Sequence, residues 1–358
     1  MRPLLLLFLA PAAFAQANPF ADLDTNKDGK LSTDELPKEA RPFVSMIDGN
    51  SDGFVTLEEF QQVAANFIAP PPAQAPDASG LKNLNYASNG DARQTLDVYL
   101  PEKPSNKKLP LVVYIHGGGW MSGNKEQGKS IAKLITSTGQ YAAASINYRL
   151  TQQAFWPAQI HDCKAAVRYL RANAKKFGID PDRIAVMGHS AGGHLAAMLG
   201  TTANAPELEG QVGSHLKQSS KVRCIVNFFG PTDFETFFGN DVDLTQLGRD
   251  NMVVRLLGKN SDEIRRNMQL ASPIHWITKD DAPFFTAHGT ADPLVPFTQA
   301  EELNAALTRA GVESHLITMQ GAGHGFANEE LNQRIRTFLD QHLLGIPAEI
   351  SNNPIKVR

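Results

Sequence analysis

Cysteine is scarce. Cys163 and Cys224 are the only two in 358 residues, which excludes a disulfide-stapled scaffold and a cysteine-rich metal cluster. Cys163 falls in a helical pattern and Cys224 in a strand pattern, where a cysteine is a small buried hydrophobe, and nothing in their spacing argues for a bridge. Charge imbalance is also missing. Thirty-four Lys and Arg against 37 Asp and Glu give a net charge of −3 with no basic block, which excludes the electrostatic footprint of a nucleic-acid partner. No stretch beyond the N-terminus approaches the about 18 apolar residues of a membrane span. At the N-terminus itself, Arg2 precedes an apolar run from Leu4 to Leu9 that continues to Phe14, with an A-x-A site at Ala13-Phe14-Ala15. Residues 1–17 therefore read as a secretory signal peptide cleaved before Gln16 or Asn18, and the mature protein is expected to be secreted or periplasmic.

Two acidic near-repeats follow. Asp24-Thr25-Asn26-Lys27-Asp28-Gly29 ends at Glu35, and Asp48-Gly49-Asn50-Ser51-Asp52-Gly53 ends at Glu59. Both fit D-x-[DN]-x-[DN]-G-x5-E. Oxygen ligands at loop positions 1, 3 and 5, a carbonyl at position 7 and a bidentate Glu at position 12 wrap a calcium ion. The candidate ligands are thus Asp24, Asn26, Asp28, the Lys30 carbonyl and Glu35 in one loop. Asp48, Asn50, Asp52, the Phe54 carbonyl and Glu59 serve in the other. Leu31 and Val55 at position 8 are expected to pair as a short two-stranded link. The segment looks like an EF-hand pair over 18–68. Its loops start only 24 residues apart, at Asp24 and Asp48, with Pro37 and Pro42 between them. Helices that short disfavour a sensor that opens a groove, so the calcium is expected to be structural.

Ala69-Pro70-Pro71-Pro72-Ala73-Gln74-Ala75-Pro76 is a stiff extended spacer, and residues 69–80 read as a linker. From about Leu81 the pattern alternates strand with helix. Strands are expected at Thr95 to Leu100, Leu111 to Ile115, Tyr141 to Asn147, Val222 to Phe229, Pro283 to Ala287 and Ser314 to Met319. Helices are expected at Lys125 to Thr138, Ala158 to Lys176, Thr298 to Ala310 and Glu329 to Leu343. The fold class is α/β, a mainly parallel sheet with helices on both faces over 81–346, followed by a tail over 347–358.

The chemistry centres on Ile184-Ala185-Val186-Met187-Gly188-His189-Ser190-Ala191-Gly192-Gly193. An apolar strand meets G-x-S-x-G and passes straight into a helix-forming stretch, so Ser190 sits on a tight strand-to-helix turn. Cβ atoms at Gly188 and Gly192 would collide with the neighbouring elements. Three strand-end loops complete the constellation. His116-Gly117-Gly118-Gly119-Trp120 offers closely spaced backbone N–H groups to a developing oxyanion. Asp292, in Ala287-His288-Gly289-Thr290-Ala291-Asp292, can orient an imidazole, and His324, in Gly321-Ala322-Gly323-His324-Gly325, stands on a loop of small residues able to reach Ser190. The chain order Ser190, Asp292, His324 suits a nucleophile elbow on such a sheet.

These motifs make the chain from about Leu81 to Leu344, three quarters of its length, resemble an α/β-hydrolase. More narrowly it resembles the bacterial carboxylesterases with H-G-G-G-W and G-x-S-A-G-G, related to hormone-sensitive lipases and to feruloyl- and acetyl-xylan-type carbohydrate esterases. The resemblance implies Ser190 as nucleophile, His324 as general base and Asp292 as its orienter. It also implies an oxyanion hole built from the N–H groups of Gly118, Gly119 and Ala191, and no cofactor for catalysis. Tyr148-Arg149-Leu150 resembles the family's Y-R-L, but Thr151-Gln152 stand where the lipase-like branch often has Ala-Pro, which favours the carbohydrate-esterase branch. The implied substrate is a small-molecule or polysaccharide ester.

Other polar groups take plainer readings. His116 braces the glycine loop, His189 and His194 are packed or hydrogen-bonded core residues, and His161 and Asp162 are structural partners at a helix start. Asp233 is the rival acid. Trp120 is either a wall of the acyl pocket or simple packing. The segment between Gly230 and Asp281, with Phe234, Phe237, Phe238, Leu244, Leu247, Met252, Leu256 and Leu257, fits a helical lid or ordinary packing. Two other functions compete. One is a serine peptidase of the same fold, without the added propeller domain or charge anchor usual for it. The other is a docking module in which the calcium repeats bind a partner beside an inert hydrolase. The repeats resemble dockerins, which usually end their loops with Asp where this chain has Glu35 and Glu59.

Overall fold

The computed structural model describes residues 19–36, 53–61, 80–103, 107–238, 251–258 and 260–357. Near the N-terminus, strands β1 (Lys30–Ser32) and β2 (Phe54–Thr56) pair antiparallel, with Leu31 opposite Val55 as the repeat spacing predicts. These two join Phe20, Leu23, Leu36 and Phe60 in a cluster of six buried residues of their own, with the Phe20 and Phe60 rings edge to face.

From residue 80 onward the chain builds one nine-stranded sheet. Its strands are β3 (Leu84–Asn85), β4 (Thr95–Tyr99), β5 (Leu109–Ile115), β6 (Ala142–Ile146), β7 (Ile179–His189), β8 (Ile225–Phe228), β9 (Phe284–Gly289), β10 (Ser314–Gln320) and β11 (Ile355–Lys356). They lie in the order β11-β10-β9-β8-β7-β5-β6-β4-β3. β4 runs antiparallel to β3 and β6, and the remaining pairs are parallel. β7, which ends at the elbow, is the central strand.

Helices α1 (Lys129–Thr136), α2 (Ala158–Ala172), α3 (Ala191–Thr201), α4 (Met252–Leu257), α5 (Ser261–Ala271), α6 (Thr298–Arg309) and α7 (Glu329–Leu339) cover the sheet. All seven residues of β5 are buried, as a parallel strand covered on both faces requires. Side chains alternate between faces. Leu111, Val113 and Ile115 join one core with residues of α2 and α3, while Val112 and Tyr114 join the other with Leu331, Ile335 and Phe338 of α7. Cys163 belongs to the first core and Cys224 to the second, and both thiols are free.

Several boundaries differ from the sequence reading: β8 begins at Ile225 rather than Val222, the helix expected from Lys125 opens as a 3-10 turn over Lys125–Gly128, and the last helix becomes a π-helix over Asp340–Leu344. β7 begins at Ile179, five residues before Ile184, because Ile179 pairs with Leu109 across an irregularity in register. The helix expected over 158–176 breaks at Asn173, whose side-chain amide donates to the Tyr169 carbonyl. Residues 355–356, inside the stretch read as a tail, form β11 and extend the sheet beside β10.

Candidate active site

At the end of β7 the chain turns into α3 within one residue. Ser190 carries φ 54° and ψ −121°, a conformation L-residues rarely adopt, and its N–H is held by the Phe228 carbonyl at 2.9 Å. The flanking glycines permit this. A Cβ on Gly188 would lie 2.2 Å from the Gly192 carbonyl oxygen, and one on Gly192 would lie 2.1 Å from the Ile115 oxygen.

The turn presents Ser190 to a histidine from another loop. The Ser190 hydroxyl donates to His324 Nε2 at 2.9 Å, and His324 Nδ1–H donates to Asp292 Oδ2 at 2.7 Å. The Asp292 side chain is fully buried. Its Oδ1 accepts the Leu294 and Val295 N–H groups at 2.8 and 2.9 Å. A donor that sequence reasoning missed also reaches Oδ2. His288 Nε2–H, which donates to the Val295 carbonyl at 3.0 Å, lies 3.2 Å from it. The signal was the placement of His288 four residues before Asp292, near the end of the strand that leads into its loop. Burial pushes the Asp292 carboxyl up, but the hydrogen bonds from His288 and His324 outweigh it and hold the group well below the usual carboxylate range. Asp292 therefore stays ionised and fixes the tautomer in which His324 Nε2 is free to take a proton. Phe229, itself at φ 41°, packs edge-on against His324 with centroids 4.6 Å apart.

Beside the elbow lies the glycine loop that follows β5. Gly118 and Gly119 take φ of 109° and 58°. The Gly118 carbonyl is turned into the loop, where it accepts the Met121 and Ser122 N–H groups and the Ser122 hydroxyl. Among the described residues, neither the Gly118 nor the Gly119 N–H meets an acceptor. Ala191, the first residue of α3, supplies a helix N-terminal N–H that the helix itself leaves unpaired. Nucleophile, base, orienter and two sources of N–H donors are thereby assembled, the set that acyl transfer needs.

Known proteins resemble this chain in sequence and fold. Residues 96–307 match the BD-FAE family, and residues 19–38 and 45–64 match the EF hand. The chain belongs to the BD-FAE family. Esterase LipC of Mycobacterium tuberculosis is 32% identical over 272 residues, which are 72% of this chain and 64% of LipC. A solved structure titled a truncated form of carbohydrate esterase from gut microbiota matches with a TM-score of 0.63 at 30% identity, covering 76% of this chain and all of that one. A bifunctional GH43-CE from Bacteroides eggerthii matches at 0.67 and 33%, covering 73% of this chain and 35% of that one. The chain thus spans under two thirds of the curated relative's length.

Within this BD-FAE domain the remaining histidines stand away from the reacting atoms. His116 Nδ1–H donates to the Gly117 carbonyl at 2.8 Å and the ring stacks on Tyr148, whose hydroxyl donates to the His116 carbonyl. Burial holds it down at about 3. His189 lies flat on Phe228 at 4.2 Å, and burial followed by the neighbouring His324 holds it at about 4. Asp162 accepts from Gln94, Arg149 and the Arg149 N–H, while the His161 ring packs against Gly210. The rival acid Asp233 is engaged elsewhere. Its backbone N–H binds Gln299, and its carboxylate accepts the Glu235 N–H and faces His275 Nε2 at 3.8 Å. Trp120 is 1% exposed, so it packs rather than lining an open surface. Between Gly230 and Asp281 the described residues form α4, α5 and the turn Pro273–Trp276, and Met252 of α4 lies over Gly119. Leu244 and Leu247 lie outside the described residues.

The first calcium loop is built by its own N–H groups. Asp24 accepts from the Asp28 and Gly29 N–H groups, Asn26 Oδ1 from Asp28 N–H, and Asp28 Oδ1 from Lys30 N–H. Glu35 folds back over the loop onto the Ser32 N–H at 3.0 Å and hydroxyl at 2.8 Å, and onto the Asn26 N–H at 3.2 Å. The Ser32 N–H and hydroxyl, then the Asn26 N–H, hold its carboxyl down at about 2. Asp24, Asn26, Asp28 and Glu35 give this short loop oxygen donors alone, the ligand chemistry that a hard cation of calcium's size takes. Glu59 repeats the pattern, accepting the Thr56 N–H at 2.9 Å and hydroxyl at 2.8 Å, with Phe54 two residues before Thr56. Asp48, Asn50 and Asp52 lie outside the described residues.

Proposed function

We propose that this protein is an exported serine ester hydrolase that cuts acetyl, feruloyl or related acyl esters from plant polysaccharide and small carbohydrate-derived esters. The observation that carries the reading is the unbroken chain Ser190 Oγ to His324 Nε2 to Asp292 Oδ2, at 2.9 and 2.7 Å, beside the Gly118–Gly119 loop. The relatives named esterase and carbohydrate esterase support it, as does Thr151-Gln152 in place of the lipase-like Ala-Pro. The apolar N-terminal run and its A-x-A site support export.

In this mechanism His324 Nε2 accepts the Ser190 proton as Oγ attacks the ester carbonyl. The imidazolium that forms is stabilised by the ionised Asp292, and the oxyanion is received by the Gly118, Gly119 and Ala191 N–H groups. His324 then gives its proton to the leaving alcohol, and the acyl-Ser190 ester is hydrolysed by water deprotonated by the same histidine. Asp24, Asn26, Asp28, Glu35 and the Lys30 carbonyl would hold calcium in the first loop, and Asp48, Asn50, Asp52, the Phe54 carbonyl and Glu59 in the second. The ion's part is to tie each loop together, remote from these steps in sequence.

Hydrolysis of a p-nitrophenyl acyl series, methyl ferulate and acetylated xylan by wild type and Ser190→Ala tests the reading. Wild type should turn over esters, and the variant should lose about a millionfold in kcat. Equal inactivity of both proteins on every ester, with cleavage of peptide anilides by wild type, would replace the reading by a peptidase.

A further inference from the structure

The oxyanion hole draws its donors from two separate stretches of chain, the loop after β5 and the first turn of α3. One side chain joins them. Trp120 follows Gly119 directly, and its indole Nε1–H donates to His194 Nδ1 at 3.2 Å. His194 stands three residues after Ala191, in the first turn of α3, with its backbone N–H on the Ser190 carbonyl at 3.0 Å. Because Nδ1 accepts, the ring proton is on Nε2, which donates to the Ala271 carbonyl at 2.6 Å, at the end of α5. The imidazole is fully buried, and Trp120, Trp156 and Phe234 surround it at centroid distances of 5.3, 5.5 and 5.2 Å.

A second observation comes from the backbone. Gly118, Gly119 and Trp120 are three successive residues in the left-handed region, at φ of 109°, 58° and 57°. Glycine adopts such angles freely, whereas a tryptophan does so only where its surroundings hold it. The Trp120 angle helps set the plane of the Gly119–Trp120 peptide and hence the run of the donor loop. What holds Trp120 is the hydrogen bond to His194, the ring contacts around it and the Thr151 N–H, which donates to its carbonyl at 2.9 Å.

We infer that His194 is a positioning residue for ester hydrolysis: by accepting from Trp120 and donating to Ala271, it sets the spacing between the Gly118–Gly119 donors and Ala191. The inference rests on the ester-hydrolase reading above. Its consequence is confined to the transition state, because an oxyanion donor is worth most when charge has developed on the carbonyl oxygen. It also makes the α4–α5 segment part of the donor frame, since Ala271 ends α5 and Met252 of α4 lies over Gly119.

The test is steady-state hydrolysis of p-nitrophenyl acetate by wild type, His194→Phe, His194→Gln, Trp120→Phe and the double Phe variant. It is paired with each protein's affinity for an alkyl boronic acid, which forms a tetrahedral adduct on Ser190. Losing the link should lower kcat about ten- to a hundredfold with KM nearly unchanged, and weaken boronate binding by a matching factor. The double variant should be no worse than the worse single one. Gln places an acceptor and a donor on one side chain, so His194→Gln should recover most of the loss. Wild-type kcat in His194→Phe overturns the inference. So does a kcat loss without weaker boronate binding, or one that Gln fails to restore in a folded protein. If His194→Phe does not fold, Trp120→Phe carries the same comparison. Inactive wild type on all esters would instead strike the ester-hydrolase reading, a separate result.

Discussion

Two carboxylates in this chain are held by the same device for opposite purposes. The Asp292 carboxylate is fully buried and accepts from the Leu294 and Val295 N–H groups and from His324, with His288 Nε2 beside it. Glu35 is half-buried and accepts from the Ser32 N–H and hydroxyl and the Asn26 N–H. Both carboxyls lie far below their ordinary values. In the hydrolase domain the protein supplies every partner, inside two large cores on either face of a nine-stranded sheet. In the calcium repeats the carboxylate leans on its own loop, above a core of six side chains. The first region is preorganised by packing. The second has only six buried side chains among the described residues, and we expect it to rely on an added ion.

The sharpest way to break that contrast is to exchange the charge for an amide in each place. Asp292→Asn keeps the shape but favours the wrong His324 tautomer, and kcat/KM should fall about ten-thousandfold with calcium affinity unchanged. Glu35→Gln should do the reverse, weakening calcium binding by calorimetry and leaving ester turnover within about twofold, since the loop takes no part in the chemistry. Loss of turnover in Glu35→Gln would tie the repeats to the active site and dissolve the distinction between the regions.

Acid should separate the regions by the pH window in which each loses stability. Burial holds His116 at about 3 and His189 and His194 at about 4, against 6.5 when unfolded. The unfolded chain therefore binds these protons first as pH falls. Their contribution to stability is full above 6.5 and is lost on the way down to 4, by about 4 kcal/mol per pH unit if all three act together. Glu35 titrates in another window. Its contribution is present above 4.5 and is lost as pH falls to about 2. Urea unfolding of the full chain at pH 7.5, 6 and 5, followed by tryptophan fluorescence, checks the first window. All three tryptophans, Trp120, Trp156 and Trp276, lie in the hydrolase domain, so the signal reports that region alone. A flat midpoint from 7.5 to 5 would mean that these imidazoles take up protons without unfolding.

Much of the elbow is legible in the sequence because steric limits leave few choices. Gly188 and Gly192 are dictated by backbone carbonyls within 2.2 Å of where a Cβ would stand. The order of Ser190, Asp292 and His324 is legible for a similar reason, since each follows a recognisable strand. What sequence cannot show is which residues meet across long separations. Trp120 and His194 are 74 positions apart, and each alone reads as packing. Local polarity hides other features. Asp180-Pro181-Asp182-Arg183 masks the first half of β7, and β3 and β11 are two residues each, too short for any periodicity. Strand order is equally hidden, because β11 finds its place only through its pairing with β10.

The smallest effect expected is also the one that most directly tests how the repeats are held together. Leu31, Val55, Phe20, Leu23, Leu36 and Phe60 are the whole buried core described there, and a core of that size supplies little net stability once chain entropy is counted. Calcium at a hundredfold excess over its Kd adds about 2.7 kcal/mol to whatever folds around it. Chelation should therefore loosen amide protection across β1 and β2 in hydrogen exchange of the full chain. Protection across β5, β7 and β8, the tryptophan-detected midpoint and kcat should stay unchanged. Restored calcium should reverse the loss, and Glu35→Gln should need more calcium to do so. If β1 and β2 kept their protection without the ion, the six-residue core would be sufficient, and the loop carboxylates would hold the turn through their own N–H bonds alone.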